Sequence, residues 1–184
     1  MKELSMHILD IIENSQKAEA TLIKLMIIED LKKDLMTIKI SDNGKGIPKE
    51  TLKSVRDPFT TSRKTRPVGL GLSLFEAAAN RSGGEMKILS KENLGTVVKV
   101  TLKISDIDRA PLGNMANTIS SVVMGLGDGN FLYRHIYNGK VFNLDTRELR
   151  EMLGEKVPLN SIKVVSWLKE YVKENLNELY EEHR

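Results

Sequence analysis

The sequence predicts an α+β chain, and three observations carry that prediction. Apolar residues recur at helical spacing over 2–19, 70–81 and 160–181. Short β-rich runs come in pairs across turns: 21–28 with 35–41, 86–91 with 96–103, and 131–138 with 140–144. The pattern shifts after Ile104, so a first unit over 1–105 and a small C-terminal α+β unit over 106–184 are expected.

Taken in order, Leu4, Ile8, Ile11, Ile12, Ser15 and Ala18 form one buried stripe on the first helix. Two strands follow, joined by a charged turn over 29–34. Pro48 suits the first turn of a short helix ending near Val55. Residues 57–68 hold two prolines, three threonines and basic residues without a period, and read as a long loop. The helix over 70–81 stops at Gly83-Gly84. Beyond Ile104, a linker leads to a helix over 115–124, a turn at 125–129 and a hairpin around Asn138-Gly139. Asp145 caps a helix to about Leu153. The last helix carries Ile162, Val165, Leu168, Val172, Leu176 and Leu179 as its stripe, with Ser161 as its cap.

The chain has 184 residues, 40% hydrophobic and 29% charged, an ordinary soluble composition. A net charge of +3 with no run of five basic residues gives no ground for a nucleic-acid partner. The absence of cysteine excludes disulfides, thiolate metal sites and thiol nucleophiles. No apolar run is long enough for a membrane span or a signal peptide core, so a cytoplasmic location without membrane contact is expected.

Three segments carry the candidate chemistry. On the first helix His7, Asp10, Asn14 and Lys17 share one face beside the buried stripe. The carboxamide of Asn14 is a hard neutral ligand suited to magnesium, and Asp10 could hold a water or hydroxyl as general base. The same spacing also fits a plain solvated face. Asp42-Asn43-Gly44-Lys45-Gly46 ends a strand. A carboxylate there can accept from an exocyclic amine such as that of adenine, while the glycines admit a flat ring; a simple turn has the same composition. Gly69-Leu70-Gly71-Leu72 opens a helix, whose free N–H groups favour phosphate. The preceding loop adds Thr60, Thr61, Ser62, Arg63, Lys64 and Arg66 as donors and cations. Gly125-Leu126-Gly127-Asp128-Gly129 lacks a strand–loop–helix context and reads as a turn.

In order, segments 7–20, 42–48, 57–71 and 95–96 resemble the N, G1, F/G2 and G3 boxes of the GHKL ATPase superfamily, which comprises gyrase, the Hsp90 chaperones, histidine kinases and MutL. The resemblance is nearest to the histidine-kinase and anti-sigma-kinase branch. It implies the Bergerat ATP-binding fold, a two-layer α/β sandwich whose mixed sheet is covered on one face by helices. It implies Mg·ATP as ligand, with Asn14 on the metal and Asp42 on the adenine amine. Gly44, Gly46 and Ile47 would line the base pocket, and Thr96 would join the adenine contact through water. Gly69, Leu70, Gly71 and Leu72 would hold phosphates beneath a lid that includes Thr61 and Lys64, with Lys17 near phosphate.

Two features depart from that pattern. Asp10 stands where the hydrolytic members and serine kinases carry glutamate, one methylene longer. None of His7, His135 and His183 has the context of a phosphoacceptor. The expectation is a stand-alone ATPase or phosphotransferase acting on a separate protein; the alternative is a nucleotide-gated protein-binding module without turnover. The first helix begins early, so the strand that precedes it in the family is expected to be missing. The sheet would then be smaller, or gain an edge from the C-terminal region or from another subunit, and a homodimer is one way to cover that edge.

Overall fold

In the computed structural model, described over residues 3–55, 70–154 and 156–181, the chain runs α1 (Leu4–Lys17), β1 (Leu22–Asp30), β2 (Leu35–Asp42), α2 (Lys49–Val55), α3 (Leu70–Arg81), β3 (Glu85–Lys91) and β4 (Gly95–Lys103). It continues through α4 (Met115–Met124), β5 (Asn130–Tyr137), β6 (Lys140–Asp145), α5 (Thr146–Leu153) and α6 (Ile162–Tyr180). Every expected element that falls on described residues forms. The 57–68 loop lies outside them.

The strands make one six-stranded mixed sheet in the order β3-β4-β2-β1-β5-β6. All pairs are antiparallel except β1 with β5, which runs parallel from Leu22↔Asn130 to Glu29↔Tyr137. The extra edge expected for β1 is thus supplied by the C-terminal region. Residues beyond 105 extend the same sheet.

Side chains alternate across the sheet. Ile23, Leu25 and Ile27 of β1, Ile38 and Ile40 of β2, Val98 and Val100 of β4, and Phe131 and Tyr133 of β5 are buried on one face. They join α1, α3, α4 and α6 in a continuous core. This is the α+β two-layer arrangement that the sequence predicts.

The C-terminal region also positions α1. Glu3 stands at the N-cap, and its side chain accepts from none of the helix amides. The first amides of the helix are satisfied instead from across the chain: Leu4 N–H donates to the Pro111 carbonyl (2.9 Å) and Ser5 N–H to that of Leu112 (2.8 Å). Gln16 Nε2 donates to the Val122 carbonyl on α4, 3.2 Å away. The caps expected at Asp145 and Ser161 form, accepting from Arg147 N–H and Val164 N–H. The β5–β6 hairpin turns on Asn138 (φ 46°) and Gly139 (φ 93°), the positive-φ pair that such a turn requires.

Most boundaries shift by one or two residues, and the shift at the end of β1 bears on the core. The charged turn starts two residues later than the sequence suggests, because β1 keeps its ladder through Glu29↔Met36 and Asp30↔Leu35. Glu29 therefore points into the core rather than to solvent, and it is 9% exposed.

Candidate nucleotide pocket

A cavity of about 670 Å³ opens between α1 and the ends of β2 and β4. That volume suits a small organic ligand. Its walls are Ile11, Asn14, Ser15, Lys17 and Ala18 of α1 and its C-cap, Asp42, Lys45, Gly46 and Ile47 at the end of β2, Leu72 of α3, and Thr96 and Val98 of β4.

Asp42 is the fixed point. Its Oδ2 accepts from Ser15 Oγ at 2.7 Å and its Oδ1 from Gly44 N–H at 2.9 Å. A carboxylate has about four lone-pair sites, so acceptor capacity remains for a ligand donor. The register places Asp42 opposite Thr96 on the neighbouring strand. Thr96 Oγ1 lies 2.8 Å from Ser90 Oγ. The Ser90 hydroxyl oxygen also accepts from Ile47 N–H at 2.7 Å. One hydroxyl thus ties the loop after β2 to β3 and β4.

The glycines serve close approach. Gly46 has φ +68°, and a Cβ there would lie 2.1 Å from the Lys91 carbonyl oxygen. A Cβ at Gly44 would lie 2.7 Å from the Ala18 carbonyl oxygen. Gly44 is buried against α1 and does not line the cavity.

Asp10 and Asn14 sit one turn apart on α1, where α3 begins. A Cβ at Gly71 would lie 3.3 Å from Asp10 Cβ and 3.4 Å from its Oδ2. The carboxylate therefore packs beside the first turn of α3, outside the cavity lining, whereas Asn14 lies in it. Lys17 lies in the lining and 3.9 Å from Glu13. Lys45 pairs with Glu19 at the rim. His7, placed by spacing on the same face, is instead buried and stacked on Phe75 with 5.0 Å between ring centroids.

Of the residues the sequence singles out, the fold gathers Asn14, Lys17, Asp42, Gly46, Ile47, Leu72 and Thr96 around one cavity, with Asp10, Gly44 and Gly71 behind its walls. Leu70 starts α3. Thr61, Lys64 and Gly69, with the rest of the expected lid, lie outside the described residues. Sequence reasoning missed Ser15 and Ser90. A hydroxyl in the otherwise apolar stripe of α1 was the available signal for Ser15; Ser90 had none.

A magnesium ion can be tested against these donors. Among the described residues there is no group of three or more His, Cys, Asp or Glu able to hold a metal. The cavity offers the Asn14 carboxamide. That set fits a cation that keeps its waters and takes most of its ligands from phosphates. No helix among the described residues is long and apolar enough to cross a membrane.

Residues 2–106 match the family described as histidine kinase-, DNA gyrase B-, and HSP90-like ATPase. A putative sensor protein of Shewanella frigidimarina is 28% identical over 109 residues, covering 58% of this chain and 17% of that protein. Sporulation kinase D of Bacillus subtilis is 41% identical over 68 residues, covering 37% of this chain and 13% of that protein. The chain thus spans under a fifth of the length of these relatives. The solved N-terminal domain of a DNA repair protein superposes with a TM-score of 0.51 at 16% identity, covering 79% of this chain and 53% of that one, a likeness of fold alone.

Proposed function

This chain belongs to the histidine kinase-, DNA gyrase B- and HSP90-like ATPase family, and from that premise we propose that it binds Mg·ATP in the cavity beneath α1 and acts as a phosphotransferase or ATPase toward a separate protein. The carrying observation is Asp42. Its two oxygens are already oriented by Ser15 and Gly44, and Thr96 lies directly across the ladder. Such a carboxylate reads a donor amine on a flat base, with Gly46 and Ile47 forming the base wall.

Asn14 would hold magnesium, whose chemistry is to neutralise charge on the terminal phosphates. Lys17 would add charge near those phosphates. The amides opening α3, from Gly69 through Leu70, Gly71 and Leu72, would bind phosphate oxygens, joined by Thr61 and Lys64. In transfer, the acceptor oxygen bonds to the γ-phosphorus as the bond to the β–γ bridging oxygen breaks, and ADP leaves. Asp10 would take the acceptor's proton.

The second reading, a nucleotide-gated protein-binding module without turnover, is favoured by one observation. Asp10 lies outside the cavity lining and is a methylene shorter than glutamate. Calorimetry and phosphate release decide between them. Saturating Mg·ATP should stabilise the protein by about 2.7 kcal/mol at a hundredfold excess over Kd. Asp42→Asn should weaken binding at least about tenfold, or ~1.4 kcal/mol. If no adenine nucleotide shifts the melt, both readings fail. Asp10→Asn should keep the shift and lose labelled γ-phosphate transfer; transfer absent from the wild-type protein with its acceptor present selects the module.

A further inference from the structure

The face of the sheet turned away from the helices carries its own pattern. Reading straight across the ladders, Lys87 lies opposite Lys99, Lys99 opposite Lys39, Lys39 opposite Met26, and Met26 opposite Arg134. Lys24 stands on the same face of β1, two positions before Met26. All five cations are exposed. Like charges directly opposed on neighbouring strands oppose folding, so three lysines in one row do not serve the sheet. Among the described residues only Lys87 has an acid, Glu85 at 2.6 Å on its own strand.

Apolar side chains stand between these cations. Ile28, Val97 and Leu132 are half-buried, Val141 is 43% exposed and Leu89 is 73% exposed. The aromatic residues of β5 and β6 that pack inward, Phe131, Tyr133 and Phe142, leave this face without a ring among the described residues. A surface without rings offers no stacking platform for nucleic-acid bases. Its apolar members would gain nothing from a phosphate backbone. Strand spacing and rise give a footprint of roughly 24 by 23 Å, on the order of 550 Å² before side-chain relief. That approaches the ~800 Å² each partner contributes to a standard protein interface.

We propose that this open face is the docking surface for a partner protein whose contact patch sets carboxylates among leucine-like side chains. The surface is separate from the nucleotide cavity and stands without the nucleotide reading. The two share strands, however: Val97 faces out beside Thr96, and Ser41 beside Asp42.

The probe is a 20-residue amphipathic peptide of glutamate and leucine, measured by fluorescence anisotropy and amide chemical shifts on the full chain at 0.15 M salt. Poly-glutamate, a 20-base-pair DNA duplex and phosphatidylserine vesicles are run beside it. The Glu/Leu peptide should bind tightest and shift amides at outward positions of β1, β2, β4 and β5. Lys39→Glu should weaken it at least tenfold, and Lys39→Gln with Lys99→Gln should do so with no added charge. Both variants should melt no lower than the parent and keep its response to Mg·ATP. Absent binding, shifts confined to other surfaces, or unaltered affinity in the variants overturns the proposal. So does poly-glutamate, DNA or vesicles binding as tightly as the peptide, which would mean plain charge attraction, a nucleic-acid site or a lipid site.

Discussion

His7 lies 2% exposed with its ring stacked on Phe75, and among the described residues its Nδ1 has no hydrogen-bond partner. Burial pushes its pKa below the ordinary 6.5, with the nearby Asp10 carboxylate opposing the shift. The unfolded chain then takes up a proton before the folded one does. The neutral ring's contribution is therefore complete above about pH 6.5 and is lost as pH falls below it. His7→Phe keeps a ring against Phe75 and removes both the titration and the orphaned nitrogen. Urea melts should give a variant at least as stable as the parent at pH 7.5, and a flatter decline toward pH 5. A parallel decline in the two proteins would refute this account. Single residues also mark the limit of sequence reading. Asn14 and Asp42 were legible because their types and order are unusual together. The role of Ser15 was not, because its partner Asp42 is 27 positions away.

At the scale of elements, the ends of β1, β5 and α6 meet in a buried polar cluster. His135 Nε2 lies 2.8 Å from Glu29 Oε1, Tyr133 Oη lies 2.6 Å from His135 Nδ1, and the Tyr180 hydroxyl donates to Glu29 Oε1. With the imidazole neutral, Nε2–H donates to Glu29 and Nδ1 accepts from Tyr133, so every group is satisfied. Burial, with the Glu29 charge beside it, pushes the Tyr180 hydroxyl far above the usual phenol range and holds it protonated as a donor. Removing one member leaves the others unpaired. Glu29→Gln should cost about 2–4 kcal/mol and Tyr180→Phe about 1–3 kcal/mol, with the double variant less than additive in denaturant melts. Additive losses would mean that the two groups act separately. The sequence showed α6 by its stripe and β5 by the hairpin turn at Asn138-Gly139, but assigned Glu29 to a turn. The ladder that keeps it in β1, and the histidine it pairs with, lie on strands whose meeting no local pattern announces.

For the whole molecule, the order of the motifs made the first hundred residues readable, while the parallel pairing of β1 with β5 was open. That pairing makes the C-terminal region part of the same sheet, and the carbonyls of Pro111 and Leu112 hold the start of the helix that bears Asn14. A chain cut after residue 105 would leave the β1 edge bare and those amides unpaired. It should lack a cooperative melt, or melt far below the parent, and lose its response to Mg·ATP. A fragment that melts cooperatively and still responds would establish 1–105 as an independent unit.

The same ladder sets a timetable. Leu22 waits for Asn130, more than a hundred positions downstream. At about 5–20 residues per second of synthesis, β1 leaves the ribosome roughly 5–20 s before its parallel neighbour exists. During that interval the β1–β2 hairpin presents an open, isoleucine-rich edge, and closing so long a loop is slow even for the finished chain. Newly made molecules therefore pass through a stage exposed to aggregation and to chaperones, which ends once β5 has docked beside β1.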